Sequence, residues 1–270
     1  MDKKTIGIIG CGNIGAALAI YAEKELKVSI SGIVLYDIDP EKVKDVSEKV
    51  GNAQVAASAE EVIDKADVVV EAASPKAVPG VLGTAIEKGK DIILMSIGGV
   101  LANKGLLDKA REKGIRVILP SGAISGIDAL KSARLSGIES VTITTRKAPR
   151  SIKGAPYLSE KGIDVDRIEG EETIFEGNAL EAIKGFPKNV NVSALLSLAG
   201  IGAEKTRVRI VVSPSYTKNI HEIEVVSGAG KIITRTENVP SPENPKTSYL
   251  AVLSAITALR NHLDTIRIGN

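Results

Sequence analysis

The sequence predicts an α/β protein with two units: an N-terminal doubly wound parallel sheet and a second α+β domain built on an antiparallel sheet. From Thr5 to about Gly122, short β-branched runs alternate with helical stretches, as in βαβ units. After Gly122, alternating runs follow one another closely, which is typical of antiparallel strands. We therefore expect domains at 1–123 and 124–242, with a C-terminal helix in 243–270 that packs back on the first domain.

Five apolar runs in the first unit have the length and composition of buried parallel strands. In chain order they are TIGIIG, GIVLYD, DVVVEAAS, DIILMSIG and RVILPSG. Asp39-Pro40 and Ser74-Pro75 each place an N-cap residue before a proline, and this pattern predicts two helix starts between the strands.

The second unit opens with a predicted strand, SVTITTRKAP. Thr173 and Glu176 have the spacing of a capping box, which predicts a helix from about Thr173, and a further helix is expected after FPKNVN. Three strands then follow in TRVRIVVS, NIHEIEVVS and KIITRTEN, with SGAG as a hairpin turn. Helical periodicity returns in SYLAVLSAITALRNHL.

Composition excludes several classes of partner. The 270 residues are 43% apolar and 25% charged, as in a water-soluble globular protein, and the net charge of +2 gives no support to nucleic-acid or membrane binding. Cys11 is the only cysteine, which excludes an internal disulfide and a multi-thiolate metal site and suits the cytoplasm. No cluster has metal-ligand spacing, so we expect a small-molecule substrate and no metal.

A glycine-rich loop, GCGNIG, connects the first predicted strand to the first predicted helix. Its G-x-G-x-x-G spacing lets the chain turn tightly, approach a diphosphate closely and pack helix against strand. In this context the motif predicts a Rossmann dinucleotide-binding domain, with the phosphates at the helix N-terminus. The predicted cofactor loop consists of Gly10, Cys11, Gly12, Asn13, Ile14 and Gly15.

Asp37 ends the second apolar run, about twenty residues after the motif, where a carboxylate accepts hydrogen bonds from the adenosine ribose. That carboxylate would repel a 2′-phosphate, so NAD is the predicted cofactor, although Lys42 is near enough in sequence to leave NADP open. Ala73 and Ser74 follow another strand at the carboxyl edge of the sheet, where ligands of such folds bind.

Four stretches of the second unit are richer in polar residues than a scaffold requires: PSGAISGIDAL, TRKAP, FPKNVNVSALLSLAGIG and TKNIHEIEV. Together with GIIGCGNIG at the start and NPKTSYLAVLSAITALR at the end, they resemble the L-aspartate dehydrogenases, in the same order and over nearly the whole chain. The resemblance implies NAD(P)-dependent oxidative deamination of L-aspartate to iminoaspartate or oxaloacetate and ammonia, feeding NAD biosynthesis. It also implies that His221 is catalytic and that Ala123 and Asn191 contact the nicotinamide, with Asn189 nearby.

The chemistry of such a reaction can also be argued from the residues. Oxidising an amine needs a nearby base, and hydrolysing the resulting imine needs a group that exchanges protons near neutral pH, as histidine does. The chain has only two histidines. His262 lies near the end of the last predicted helix, which favours a surface role. His221 shares a strand face with Ile223 and Val225, which by itself favours a structural histidine; the cofactor motif and the resemblance favour catalysis.

A dicarboxylate substrate also needs cationic or hydroxyl partners. The candidates are Ser121, Arg146, Lys147, Thr247 and Ser248. Two other functions remain open: another two-domain Rossmann dehydrogenase, of the homoserine, sugar or dihydropicolinate type, and a non-catalytic NAD-binding sensor. Sugar enzymes usually carry an EKP motif and picolinate reductases a double-histidine motif, and neither is present. An open sheet edge in the second unit favours a homodimer.

Overall fold

The computed structural model of the chain describes residues 2–187, 191–244, 247–266 and 268–269. It divides into two compact units. The first contains Met1–Pro120 and Val252–Ile268, and the second contains Ser121–Ala251 and Gly269–Asn270.

The first unit is built on a parallel sheet of six strands in the order β3-β2-β1-β4-β5-β6. The chain winds outward from β1 on one side and from β4 on the other, so the strand order reverses between these two strands, which is where doubly wound sheets bind ligands. The strand β3 has no apolar run because two of its three residues are exposed. The strands are β1 (Lys4–Ile9), β2 (Ile30–Tyr36), β3 (Ala53–Val55), β4 (Val68–Glu71), β5 (Asp91–Leu94) and β6 (Val117–Ile118).

Helices connect the strands of the first unit: α1 (Asn13–Glu25), α2 (Pro40–Ser47), α3 (Ala59–Lys65), α4 (Val78–Glu87), α5 (Ile97–Ala102) and α6 (Gly105–Glu112). The predicted start of α2 is confirmed, since the Asp39 side chain accepts a hydrogen bond from the Glu41 N–H at 3.2 Å. The start predicted at Ser74-Pro75 is wrong. There the Ser74 N–H donates to the Glu71 carboxylate, and α4 begins after this turn, with Pro79 in its first turn.

One hydrophobic core of the first unit lies between the sheet and helix α1. Ile6 and Ile8 from β1 pack with Leu18 from α1, all fully buried. The C-terminal segment of this unit adds Ala255 and Leu259 to the same core. Across the described parts of the chain, no helix has both the length and the apolar character needed to cross a membrane.

The second unit is built on a five-stranded sheet in the order β11-β10-β7-β9-β8. Three of its pairings are antiparallel and the β7–β9 pairing is parallel, so the α+β class is confirmed and the sheet is mixed. The predicted hairpin is confirmed: Ser227 pairs with Gly230 across the turn between β10 and β11. The strands are β7 (Ile138–Lys147), β8 (Glu172–Asn178), β9 (Thr206–Val212), β10 (Asn219–Ser227) and β11 (Gly230–Asn238).

The helix predicted from Thr173 is wrong, because Thr173 and Glu176 lie in β8, where Phe175 is buried and pairs with Ile210. The capping box is formed instead by Asn178 and Glu181 at the start of the next helix. The helices of the second unit are α7 (Ile127–Ala133), α8 (Pro156–Lys161), α9 (Ala179–Gly185) and α10 (Asn191–Ala199), and α11 spans Tyr249–Leu263. Short 3-10 turns occupy Arg134–Ser136, Pro149–Ser151 and Val165–Arg167.

Candidate active site

The glycine loop of the first unit has the geometry that a dinucleotide requires. Gly10 has φ of 103°, and a Cβ there would lie 2.5 Å from the carbonyl carbon of Ala72. A Cβ at Gly15 would lie 1.8 Å from the Gly10 oxygen, so α1 packs against the loop only because this residue is glycine. At Gly12 a Cβ would meet no atom within 4 Å. The space at Gly12 is therefore open where the motif brings backbone and diphosphate together.

The N-terminus of α1 is suited to an anion. The N-cap of this helix is Gly12, which has no side chain to cap the helix, and its first turn carries no acidic residue. The partial positive charge of the helix end is therefore not offset locally by a carboxylate of the first turn. Asn13 and Ile14, two of the predicted cofactor-loop residues, form the first positions of this helix.

Asp37 holds the end of β2 to the glycine loop. Its carboxylate accepts hydrogen bonds from the N–H of Cys11 at 2.7 Å and from the N–H of Asp39 at 2.9 Å. A carboxylate has about four acceptor positions, so Asp37 retains capacity for hydroxyl donors. The Lys42 ammonium lies 3.2 Å from the Asp39 carboxylate, in an exposed pair.

The Cys11 side chain is buried beneath the loop. Burial, together with the nearby negative charge of Asp37, raises the pKa of the Cys11 thiol to about 12. The side chain is therefore a neutral thiol at physiological pH, in keeping with a small spacer in the loop.

A buried carboxylate that sequence reasoning missed organises the neighbouring loops. Glu71, at the end of β4, is fully buried and accepts from the N–H groups of Ala73 and Ser74 at 2.9 and 3.0 Å. It also accepts from the Ser96 hydroxyl at 2.8 Å. Burial raises the pKa of Glu71, and these hydrogen bonds partly offset that effect. The signal in the sequence is an acid that directly follows three valines in the run DVVVEAAS.

Ala123 belongs to the second unit, where β11 fixes its carbonyl oxygen. The Thr236 hydroxyl and the Asn238 amide each donate to this oxygen at 3.0 Å. Asn238 also donates to the Asn219 oxygen at 3.3 Å, which joins the network to β10. The amide oxygen of Asn238 is buried and has no hydrogen-bond partner among the described residues, so it can accept from a ligand.

His221 lies in the middle of this sheet, with 4% of its surface exposed, on the buried face that the sequence predicted. It pairs with Thr145 of β7 on one side and with Thr236 of β11 on the other. The Thr145 hydroxyl lies 3.0 Å from Nδ1 and fixes the ring. Burial, and secondly the charge of Lys147, lowers the pKa of His221 to about 3. The imidazole is therefore neutral at physiological pH. The near-neutral pKa expected of a histidine from the sequence does not apply to this one.

Lys147 ends β7 on the same face as Thr145 and is 9% exposed. Burial lowers its pKa to about 8. Arg146 points the other way, to a cluster in which Glu222 contacts both Arg146 and Arg235. Of the two cations in TRKAP, Lys147 is therefore the one on the His221 face.

A small cavity, about 10 Å³ in volume, lies between this face of the sheet and the helices α9 and α10. Its polar lining consists of Thr145, Lys147 and Ser193, and the other lining residues are aliphatic or aromatic. Asn191 begins α10 two residues before Ser193 and is exposed. Asn189 lies outside the described residues.

The remaining candidates lie elsewhere or have local roles. The backbone of Thr247 bonds to Ser241 and Asn244 in a loop, and Ser248 forms an isolated bridge with Pro240. Ser121 is half-buried. In the first unit, Nε2 of His262 lies 3.7 Å from the Asp91 carboxylate. Among the described residues, no group of three or more His, Cys, Asp or Glu side chains could hold a metal ion.

Comparison with known proteins gives a consistent result for both units. Residues 128–262 match the family described as aspartate dehydrogenase, C-terminal, and residues 10–120 match the family described as homoserine dehydrogenase, NAD binding domain. The chain is 44% identical to the L-aspartate dehydrogenase of Methanococcoides burtonii and 43% identical to that of Methanosarcina barkeri, each over 98% of both chains. Its fold is similar to the crystal structure of aspartate dehydrogenase from Thermotoga maritima, with a TM-score of 0.76, 28% identity and coverage of 99% of this chain and 100% of that one.

Proposed function

The chain belongs to the aspartate dehydrogenase family, with an NAD-binding domain, and from that premise we propose that it oxidises L-aspartate with NAD. The products would be iminoaspartate and then, after hydrolysis, oxaloacetate and ammonia. The observation that carries the proposal is the buried histidine, held by Thr145 on the same face as the cation of Lys147. The base can accept the proton of the substrate amine, and the cation can pair with a substrate carboxylate.

For the cofactor, we assign the diphosphate to the loop at the start of α1 and the adenosine ribose to Asp37. The open space at Gly12 and the uncapped helix N-terminus support the first assignment. The spare acceptor capacity of Asp37 supports the second, and its charge disfavours a 2′-phosphate. Lys42 pairs with Asp39, which also favours NAD over NADP. Ala73 and Ser74, held by Glu71, complete the cofactor edge of this unit.

In the second unit, we assign Ala123 and Asn191 to the nicotinamide end of the cofactor. When bound, NAD supplies the hydride acceptor. The carbonyl of Ala123 is fixed by two side chains of β11. The amide oxygen of Asn238, which has no partner within the described part of the chain, can accept from an amide N–H. These are the properties of a rigid surface that orients a polar ring.

His221 handles the protons in this proposal. The substrate amine must lose a proton before its α-carbon can release a hydride, and the neutral imidazole can accept that proton. Thr145 holds the ring in one orientation while this happens. The imidazolium then releases that proton to solvent, which regenerates the neutral ring. In the second stage, the imidazole accepts a proton from the water that attacks the imine carbon and returns it to the departing ammonia. Deamination is thereby completed without a metal ion in the scheme.

An absorbance assay for NADH formation tests the proposal. L-Aspartate is compared with L-homoserine and inositol, the substrates of the alternative dehydrogenase types. We expect NADH only with L-aspartate, and NADH consumption with oxaloacetate and ammonia. Preference for L-homoserine would instead support the homoserine-type alternative. Tight NAD binding with no turnover of any of these substrates would support a sensor.

We further propose that the protein is a cytoplasmic homodimer whose product supplies NAD biosynthesis. The edge strand β11 supports the dimer, because it has one neighbour in its sheet and exposes 66% of Ile233. Light scattering on wild type and on Ile233→Lys tests this: a dimer in the first and a monomer in the second are expected. A monomeric wild type would contradict the dimer.

A further inference from the structure

A lysine at the end of a central strand is the most unusual buried group of the second unit. Lys147 is 9% exposed, although a lysine side chain is rarely buried. A buried ammonium is costly in free energy, and such groups are concentrated at functional sites. Burial alone does not assign a role, so the surroundings of the side chain decide it.

The face of the sheet that carries Lys147 is apolar along most of its length. Val141 and Ile143 precede it on β7, and Ile223 and Val225 lie beside them on β10, all buried. Toward the end of β7 the character of this face changes, and Thr145, Lys147 and His221 are grouped together.

Two members of this polar group, Thr145 and Lys147, also line a cavity. Thr145 and Lys147 contribute its wall from the sheet, and Ser193 contributes from α10, two residues after Asn191. The cavity, about 10 Å³ in volume, has room for about one water molecule. A cation, two hydroxyls and a base therefore converge on one end of the sheet.

The charge of Lys147 acts on His221. It is the second cause, after burial, of the lowered pKa of this imidazole. The groups that face His221 from the adjacent strands are Thr145 and Lys147 on β7 and Thr236 on β11. An anion placed against the ammonium would cancel its positive potential and raise the pKa of His221 toward the range in which histidine exchanges protons.

Building on the proposed function, we propose that Lys147 is a specificity residue whose ammonium binds a carboxylate of the substrate beside His221. Binding of the substrate then raises the pKa of its own catalytic base. A dicarboxylate places a carboxylate against Lys147 and makes His221 more basic, whereas an amino acid that lacks this carboxylate does not. Selectivity and proton transfer depend on the same contact.

The kinetic test compares Lys147→Met with wild type and with Lys131→Met, an exposed lysine on α7. We expect Lys147→Met to raise the KM for L-aspartate and for oxaloacetate about 10- to 100-fold, the effect of losing a hydrogen bond between charged groups. NAD affinity and the behaviour of Lys131→Met should stay at wild-type values. An unchanged KM in Lys147→Met, with an active wild type, would overturn the inference.

A second test needs no turnover and uses succinate as the probe. The chain has two histidines, so NMR can follow the His221 ring after His262→Asn assigns the other signal. We expect succinate to raise the pKa of His221 in wild type. In Lys147→Met, the pKa should be raised already and succinate should not change it further. If succinate binds both proteins equally and shifts both rings equally, Lys147 does not bind the carboxylate.

The two tests separate failure of this inference from failure of the proposed function. A wild type that turns over L-aspartate, with a variant that behaves identically, contradicts the role of Lys147 alone. A wild type that shows no NADH formation with L-aspartate contradicts the proposed function, whatever the NMR result.

Discussion

His221 is a neutral base because it is buried. Water is excluded from its ring, so the charged form is disfavoured and the pKa falls to about 3. Its hydrogen bond with Thr145 keeps the ring in place and adds no charge beside it. The imidazole is therefore unprotonated but a weak base, and a ligand must raise its pKa before proton transfer to it becomes favourable.

Replacing this histidine should separate binding from chemistry. We predict that His221→Ala lowers kcat about 10²- to 10⁴-fold, the usual contribution of a positioned base. Its affinity for NAD, measured by isothermal titration calorimetry, should stay within about twofold of wild type, since the glycine loop is unchanged. His262→Gln is the matched control and should keep wild-type turnover. If His221→Ala kept most of its turnover, the assigned role would be wrong.

Asp37 should set the choice between the two nicotinamide cofactors. We predict that Asp37→Ala lowers the affinity for NAD at least about tenfold, because ribose acceptors are lost and the N–H of Cys11 loses its partner. The affinity for NADP should fall less or rise, since the repulsion of a 2′-phosphate is removed. Fluorescence titration with NADH and NADPH measures both, and Asp45→Asn, exposed on α2, is the control. Equal losses for both cofactors would contradict this role.

Single residues were partly predictable from the sequence. The glycine spacing and the scarcity of histidine identify Gly10, Gly12, Gly15 and His221 as candidates, because few alternatives exist. The burial of Lys147 was not predictable, since TRKAP also offers an arginine and the strand register decides which of the two faces inward. The roles of these residues in catalysis stay predictions.

At the scale of elements, the glycine loop and helix α1 depend on glycine for two different reasons. At Gly15 the constraint is the packing of the helix against the loop, and at Gly12 it is the space left for a ligand. The backbone of Gly12 is extended, with φ of −73°, and any residue can adopt this conformation. Substitutions at the two positions should therefore have different effects.

We predict that Gly12→Ala leaves the free energy of unfolding within about 0.5 kcal/mol of wild type and lowers NAD affinity at least about tenfold. Gly15→Ala should lower the free energy of unfolding by about 1–3 kcal/mol, because its Cβ would overlap the Gly10 oxygen. Urea titration and NADH fluorescence measure the two quantities. The interpretation of the open space fails if Gly12→Ala binds NAD normally.

Local signals predicted some elements and missed others. Asp39-Pro40 starts a helix as expected, because the Asp39 side chain caps the first turn and proline occupies its first position. Thr173 and Glu176 have the same kind of signal, yet their segment pairs with β9, where burial of Phe175 outweighs a local cap. The strand β3 has no apolar run to reveal it. Tertiary pairing, which no local pattern contains, decided the cases of β8 and β3.

For the whole molecule, two buried bases make stability depend on pH. The pKa of Lys147 falls from 10.5 to about 8 and that of His221 from 6.5 to about 3, so the unfolded chain binds more protons in both windows. Their contributions to stability are full above the unfolded values and are lost as pH falls through the folded ones. Wild type should therefore lose stability from pH 10.5 to 8 and again from pH 6.5 to 3.

Removing the buried ammonium should stabilise the fold. We predict that Lys147→Met raises the free energy of unfolding at pH 7 by about 1–4 kcal/mol, because the cost of burying the ammonium, which lowers the pKa of Lys147, is removed. The difference from wild type should shrink as pH rises from 8 to 10.5, where wild type loses its own proton. Urea titration at several pH values checks this. A variant less stable than wild type at pH 7 would show that the charge stabilises the fold.

The two-unit division follows from the change of pattern near Gly122, and the structure has its boundary at Pro120. The domain bounds 1–123, 124–242 and 243–270 stay a prediction, as do the homodimer and the supply of NAD biosynthesis. The family relationship covers 98% of the chain and accounts for both units together.

The most direct test of the central claim follows the hydrogen on the α-carbon of the substrate. L-Aspartate carrying deuterium at that carbon is incubated with NAD and the protein, and the cofactor is analysed by mass spectrometry. We predict that wild type transfers the deuterium to the nicotinamide ring and that His221→Ala transfers it far more slowly at equal cofactor occupancy. Reduced cofactor without deuterium, or equal rates in the two proteins, would contradict the account.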